Sequence, residues 1–220
     1  MRVLIGLFVL LGTACAQAPL PADIDKESLA RLPLLQRGDL DDKGKRVYDS
    51  LAGPNNNGGP LRGPLGFAIY NPAVAEALHL LHDSVIKEGT LGSRVNELAI
   101  LIATRETNFS SEWNSHEPAA LKAGVDPATI DVVRFNREAS GVPEKDALVI
   151  RFGRQLFREK KVSPDTFAKA EALLGKRGTV ELVALMGDYA LVGLLSDAMD
   201  QHLPEGKASL PDLDKAAVVH

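Results

Sequence analysis

From residue 71 onward, apolar positions recur at helical spacing and are broken by caps and glycines rather than by alternation. Asn71-Pro72 is a helix start, with Asn as cap and Pro in the first turn. Val74, Leu78, Leu81 and Val85 then follow at the helical period, and Gly89 ends the run. Ser93 opens a second helix whose stripe is Val95, Leu98 and Ile102 with the small Ala99 and Ala103, up to about Thr107. A third starts at Ser110 or Ser111 and stops at Gly124, and Asp126-Pro127 caps a short fourth. Pro143 opens a fifth, with Leu148, Phe152 and Leu156 as its expected core face. Ser163-Pro164-Asp165 caps a sixth that Gly175 ends, and Thr179 caps a last long helix running to about Gln201.

That last helix carries Val180, Leu182, Val183, Leu185, Met186, Leu191, Val192, Leu194 and Leu195, so it is apolar nearly all round. Such a helix is expected at the centre of its bundle or against another subunit. No hairpin turn separates two alternating runs, so essentially no sheet is expected. The predicted fold class is all-α, a helical bundle. The stretch from Gly53 to Gly66 is rich in Gly, Pro and Asn and reads as a long irregular segment. Residues 17–39 form an N-terminal arm available to pack on another subunit, residues 40–206 the folded domain, and residues 207–220 a polar tail expected to be loose.

The N-terminus changes the picture. Met1-Arg2, the apolar run Val3 to Leu11, and the small Ala14 and Ala16 read as a signal peptide over residues 1–16, with Gln17 opening the mature chain. The run is too short for a permanent span of the ~30 Å bilayer core. An exported protein, periplasmic or secreted, is expected. Cys15 is the only cysteine, and Leu11-Gly12-Thr13-Ala14-Cys15 loosely resembles a lipobox, so lipidation there is the alternative. After cleavage at Ala16 the chain has no thiol, which excludes structural disulfides and Cys-based zinc sites.

Of the 220 residues, 45% are hydrophobic, enough to bury one sizeable core. The net charge of -4, with no basic run and 5% aromatics, gives no reason to expect nucleic acid. No phosphate loop follows a strand and no nucleophile elbow is present, so no cofactor is implied.

Candidate chemistry concentrates in Glu97 to Gly124, ELAILIATRETNFSSEWNSHEPAALKAG. Glu112 and His116 are four apart and share a helix face. A carboxylate there would raise the imidazole pKa and fix its orientation, making an acid/base pair. On a solvated face the same pair would contribute only about 0.2–0.5 kcal/mol. Glu97 is the only charge between Val95 and Thr104, so its carboxylate is either paired or functional, or points outward beside Arg94. Ideal helices would leave Glu97 and His116 offset by about 7 Å along a straight hairpin. His79 and His82 are three apart but lack carboxylate support in sequence, so no metal site is predicted. Asp188, Asp197 and Asp200 are expected in solvent or at a subunit contact.

The same segment resembles the carboxymuconolactone decarboxylase / alkylhydroperoxidase-D family. Glu97-Leu98-Ala99-Ile100-Leu101, Glu112-Trp113-Asn114-Ser115-His116, Ala120 and Gly124 follow its signature. Asn71-Pro72, Gly178 to Val183 and Tyr189 extend the likeness over roughly residues 40 to 206. The resemblance implies an αα-hairpin core and association into trimers or hexamers. It maps the Glu and His of the peroxidase branch onto Glu97 and His116, and that branch's two cysteines onto Phe109 and Glu112. Without a thiolate, dithiol peroxidase chemistry is disfavoured.

The decarboxylase branch needs no cysteine. The resemblance then implies acid/base chemistry on a small carboxylated or lactone substrate. His116 would transfer the proton, Glu112 or Glu97 would tune it, Arg105 or Arg94 would hold a carboxylate, and Trp113 would contact substrate. Aromatic catabolism of that kind is intracellular, so for an exported chain a related lactone or another acid fits better. A non-catalytic scaffold of the same fold is the alternative.

Overall fold

The computed structural model describes residues 20–53 and 59–212. The signal peptide expected over residues 1–16, with Cys15, and the tail beyond residue 212 lie outside the described residues. Within them the chain is helical, with no strand and one isolated bridge between Asp25 and Ala30.

Eight helices are described: α1 (Asp42–Ala52), α2 (Gly63–Ala68), α3 (Pro72–Ile86), α4 (Ser93–Glu106), α5 (Ser110–Lys122), α6 (Pro127–Arg134), α7 (Glu144–Arg154) and α8 (Pro164–Ala198). Asp41 caps α1 by accepting from the Gly44 amide, Asn71 caps α3 through Ala73, and Ser163 caps α8 through Thr166. Short polar side chains thus satisfy amides that would otherwise lack partners. Within the stretch from Gly53 to Gly66, expected to be irregular throughout, residues 63–66 already belong to α2. Pro64 sits in the first turn of α2, where its missing amide costs nothing.

α4 is the axis of the molecule. Every residue from Leu98 to Ala103 is buried, because α5, α7 and α8 cover it on different sides. The small Ala99 and Ala103 let those neighbours approach. α7 approaches closely at Gly153, where an added Cβ would lie 2.6 Å from Ile102 Cγ2 and 3.0 Å from Met186 Cε. Of the expected core face, Phe152 is buried and Leu156 packs partly buried against the core, whereas Leu148 is only half-buried and Val149, Ile150 and Gly153 complete the face. A second, smaller core joins α1, α2 and α3 to Phe109 and Val192.

The two helices predicted after Ser163 abut as one element. Gly175 (φ 71°) makes a kink inside α8, and Thr179 donates to the Gly175 carbonyl from within the helix instead of capping it. α8 is long and apolar enough to cross a membrane by length and composition, yet 56% of its most apolar window is buried inside the bundle. It still leaves Val180, Val183, Leu191 and Leu194 exposed along one face.

The N-terminal arm packs on its own chain. Ile24 and Ala30 are buried, and the Arg31 amide donates to the Met199 carbonyl at the end of α8. The described part of the polar tail is also docked, contrary to its composition. Leu210 is buried, its amide donates to Ser110 Oγ, and Asn114 donates to the Ala208 carbonyl.

Candidate functional site

α4 and α5 form the predicted hairpin, joined by a turn in which Asn108 takes a left-handed conformation (φ 54°). The turn is tighter than expected. With α4 ending at Glu106 and α5 starting at Ser110, the axial offset of Glu97 and His116 falls to about 4–5 Å. Their side chains span that gap: His116 Nδ1 lies 2.8 Å from Glu97 Oε2. On the other edge of the ring, Nε2 lies 3.3 Å from Glu112 Oε2 and 3.0 Å from Tyr189 Oη. The Tyr189 ring meets the imidazole edge-on at 5.1 Å.

Burial alone would depress the His116 pKa. The hydrogen-bonded carboxylates of Glu112 and Glu97 outweigh it and lift the pKa to about 9. His116 is therefore an imidazolium at neutral pH, with Nδ1–H donating to Glu97 and Nε2–H shared between Tyr189 and Glu112. Tyr189 moves the other way in function. Burial, with Glu112, Asp188 and Glu97 nearby, pushes its phenol well above the usual range, so it stays neutral. A phenol that accepts from Nε2–H keeps its own proton free to donate.

Beside this array is a cavity of about 220 Å³. Pro64, Leu65, Leu78 and Val192 give it apolar walls, and Glu112, Tyr189, His79, His82, Asp188 and Arg62 supply polar groups. Glu112 and Tyr189 line it, whereas His116 sits behind them. The group expected to meet substrate thus reaches the cavity through its two neighbours.

The other sequence candidates lie elsewhere. Arg94 forms a bidentate pair with Asp146 at 2.5 and 2.7 Å and donates to the Gly124 carbonyl. Asp146 is buried and also accepts from Thr129, so Arg94 neutralises an interior carboxylate. Arg105 is buried and donates to the Pro211 carbonyl at 3.0 Å. Trp113 is buried, donates from Nε1 to Glu117 and lies under the Arg134 guanidinium, 5.1 Å from its ring centroid. None of the three lines the cavity. Arg62, ahead of α2, is the guanidinium that does, and it also pairs with Glu27 at 3.2 Å.

Tyr189 and Asp188 are the site groups that spacing does not reveal, and His82, noted only for its spacing from His79, is placed at the cavity by the fold. Tyr189 carries a trace in the family-like C-terminal pattern. Asp188, expected in solvent, is buried and accepts from His82. Phe109, at one of the cysteine positions of the peroxidase branch, is buried in the smaller core, and Glu112, at the other, faces the cavity. No group of three or more His, Cys, Asp or Glu among the described residues is arranged to hold a metal ion.

No family model matches the chain, and no curated protein does either. Solved structures do. An uncharacterized peroxidase-related protein from Silicibacter sp. TM1040 superposes with a TM-score of 0.63 at 11% identity, covering 84% of this chain and 95% of that one. A peroxidase-related protein from Ralstonia eutropha JMP134, described as an alkylhydroperoxidase AhpD core, gives 0.62 at 14% identity over 80% and 93%. The debrominase Bmp8, crystallised with 2,3,4-tribromopyrrole, gives 0.59 at 14% over 80% and 91%. Helix order, the α4–α5 hairpin and these superpositions agree that the chain has the all-α fold of the alkylhydroperoxidase-D-like proteins.

Proposed function

We propose that this chain is an acid/base enzyme acting on a small carboxylated or lactone substrate, in the manner of the decarboxylase-like members of its fold. The observation that carries the reading is the Glu97–His116 pair backing Glu112 and Tyr189 at the wall of a cavity. In this reading His116 is the proton store. Glu97 holds Nδ1, and Nε2–H can pass its proton to Glu112, which meets the substrate carbon. Tyr189, held by His116 Nε2–H, donates to the carbonyl oxygen on which negative charge develops. Arg62 is the cation placed to attract a substrate carboxylate, in place of Arg94 and Arg105.

An imidazolium held between two carboxylates beside a cavity supports catalysis over a non-catalytic scaffold, because perturbed titratable groups cluster at functional sites. A peroxide-reducing dithiol would need thiols where Phe109 and Glu112 stand.

The test is turnover of a panel of small lactones and carboxylated lactones by wild type and His116→Gln. A loss on the order of 10²–10⁴-fold is expected, the usual worth of a positioned acid/base group. Unchanged turnover in the variant would sink the reading. The peroxidase alternative is checked by peroxide consumption in the presence of a dithiol, which is expected to stay at background.

A further inference from the structure

Two groups lining the cavity take no part in the array around His116. His82 comes from α3 and Asp188 from α8, and His82 Nδ1 lies 3.2 Å from Asp188 Oδ2. The Asp188 side chain is 2% exposed, and its Oδ1 is buried without a hydrogen-bond partner. A carboxylate so placed is costly unless a proton donor or cation faces it. It fixes the His82 ring with Nδ1–H toward the protein interior, which leaves Nε2 as the basic nitrogen. The His82 side chain keeps 37% of its surface exposed and lines the cavity. Tyr189 stands between the two imidazoles, its ring centroid 5.1 Å from His116 and 6.1 Å from His82.

We propose that His82, oriented by Asp188, is a second proton-transfer group of this cavity, and that its substrates are carbon acids whose proton moves from one carbon to another. The double-bond shift of a small β,γ-unsaturated lactone is the type reaction. The inference deepens the acid/base reading above and rests on it. His82 Nε2 takes the proton from the carbon beside the carbonyl. The C–H electron pair moves into an enolate whose oxygen accepts from Tyr189. The enolate then reforms its carbonyl, the double bond shifts into conjugation, and the far carbon takes a proton from His116 by way of Glu112. Substrate and product are isomers, so no oxidant or other co-reactant is needed. His82 returns its proton to solvent and His116 regains one. Facing His82 are Asp188 and Tyr189 from α8, His79 and Asp83 from α3, Glu112 from α5, and Arg62.

The experiment uses α-angelica lactone in D₂O, followed by NMR. Wild type is expected to introduce deuterium beside the carbonyl of the remaining substrate and to form the conjugated isomer labelled at the far carbon. His82→Gln is expected to lose both by about 100-fold or more, while His116 still titrates as in wild type. Asp188→Asn is expected to lose them too, with the His82 ring proton moved to Nε2 in nitrogen-15 spectra. The tautomer change reports the orientation of His82, and its coincidence with lost exchange in a folded variant ties that orientation to the reaction. Should Asp188→Asn fail to fold, His82→Gln, on a partly exposed side chain, still decides. Exchange unaffected by His82→Gln but lost in Glu112→Gln overturns this proposal and leaves the acid/base reading standing. A wild type that exchanges no proton of the lactone overturns both.

Discussion

His116 carries a charge that its burial opposes, and that conflict is measurable. Its pKa is raised to about 9 in the folded protein against an ordinary 6.5. A folded-state pKa above the unfolded value means that the charged, paired imidazole contributes stability fully below about 6.5. That contribution is lost as pH rises through about 9. Wild type is therefore expected to lose more stability between pH 7 and 10 than Glu97→Gln or Glu112→Gln. An NMR titration should show His116 moving toward 6.5 in either variant. Identical His116 titrations in all three proteins would contradict the assignment. Glu97, Glu112 and His116 were legible in sequence because their spacing lies within one hairpin. Tyr189 and Asp188 were not, since Tyr189 is 73 residues from His116 and Asp188 is 106 from His82. The sequence showed that Arg94 and Arg105 were cations, but not that Asp146 and the Pro211 carbonyl would claim them.

At the scale of helices, the caps were the most readable feature. Asn71 and Ser163 open α3 and α8 as their side chains dictate. Helix α1, which the sequence reading did not single out, is clearly amphipathic: Val47, Tyr48 and Leu51 turn to one core, and the helix packs against α3. The break at Gly175 was correctly placed, but the sequence does not show that helix resumes at once beyond it. Two tests belong here. Gly153→Ala puts a methyl against Ile102 and Met186, and overpacking of that kind costs about 1–3 kcal/mol. In a domain of this size that lowers Tm by roughly 2–4 °C per kcal/mol, read by calorimetry. Arg94→Ala strands the buried Asp146. The expected loss is about 3 kcal/mol, the lower end for a broken buried pair because Arg94 is itself partly exposed. Lactone turnover per folded molecule should be unchanged in Arg94→Ala, and a selective loss of turnover without loss of Tm would restore Arg94 to the site.

For the whole molecule, the open question of packing lies on α8. Val180, Val183, Leu191 and Leu194 stay exposed on one face, and a Cβ on Gly187 between them would meet nothing within 4 Å. A stripe of that kind on a stable globule is the mark of a contact surface, and we expect it to bury against a second copy of the chain. Sedimentation equilibrium at micromolar concentration should show an oligomer, and Leu194→Glu should shift it toward monomer. A wild-type monomer would refute the expectation. The all-α class was readable at this scale, because every apolar run has the helical period. The docking of residues 207–212 was not, since one Leu among polar neighbours gives no periodic signal.

That docked segment bears on biosynthesis. The Leu210 amide donates to Ser110 at the start of α5, and the Pro211 carbonyl receives the buried Arg105 of α4, so the central hairpin depends on residues 100 and 106 positions further along the chain. Domains commonly begin to fold as they emerge, N-terminal parts first. Here the Arg105 guanidinium has no acceptor at Pro211 until 106 further residues have been made. The nascent chain would hold its central hairpin unfinished until that distant segment has emerged to close it.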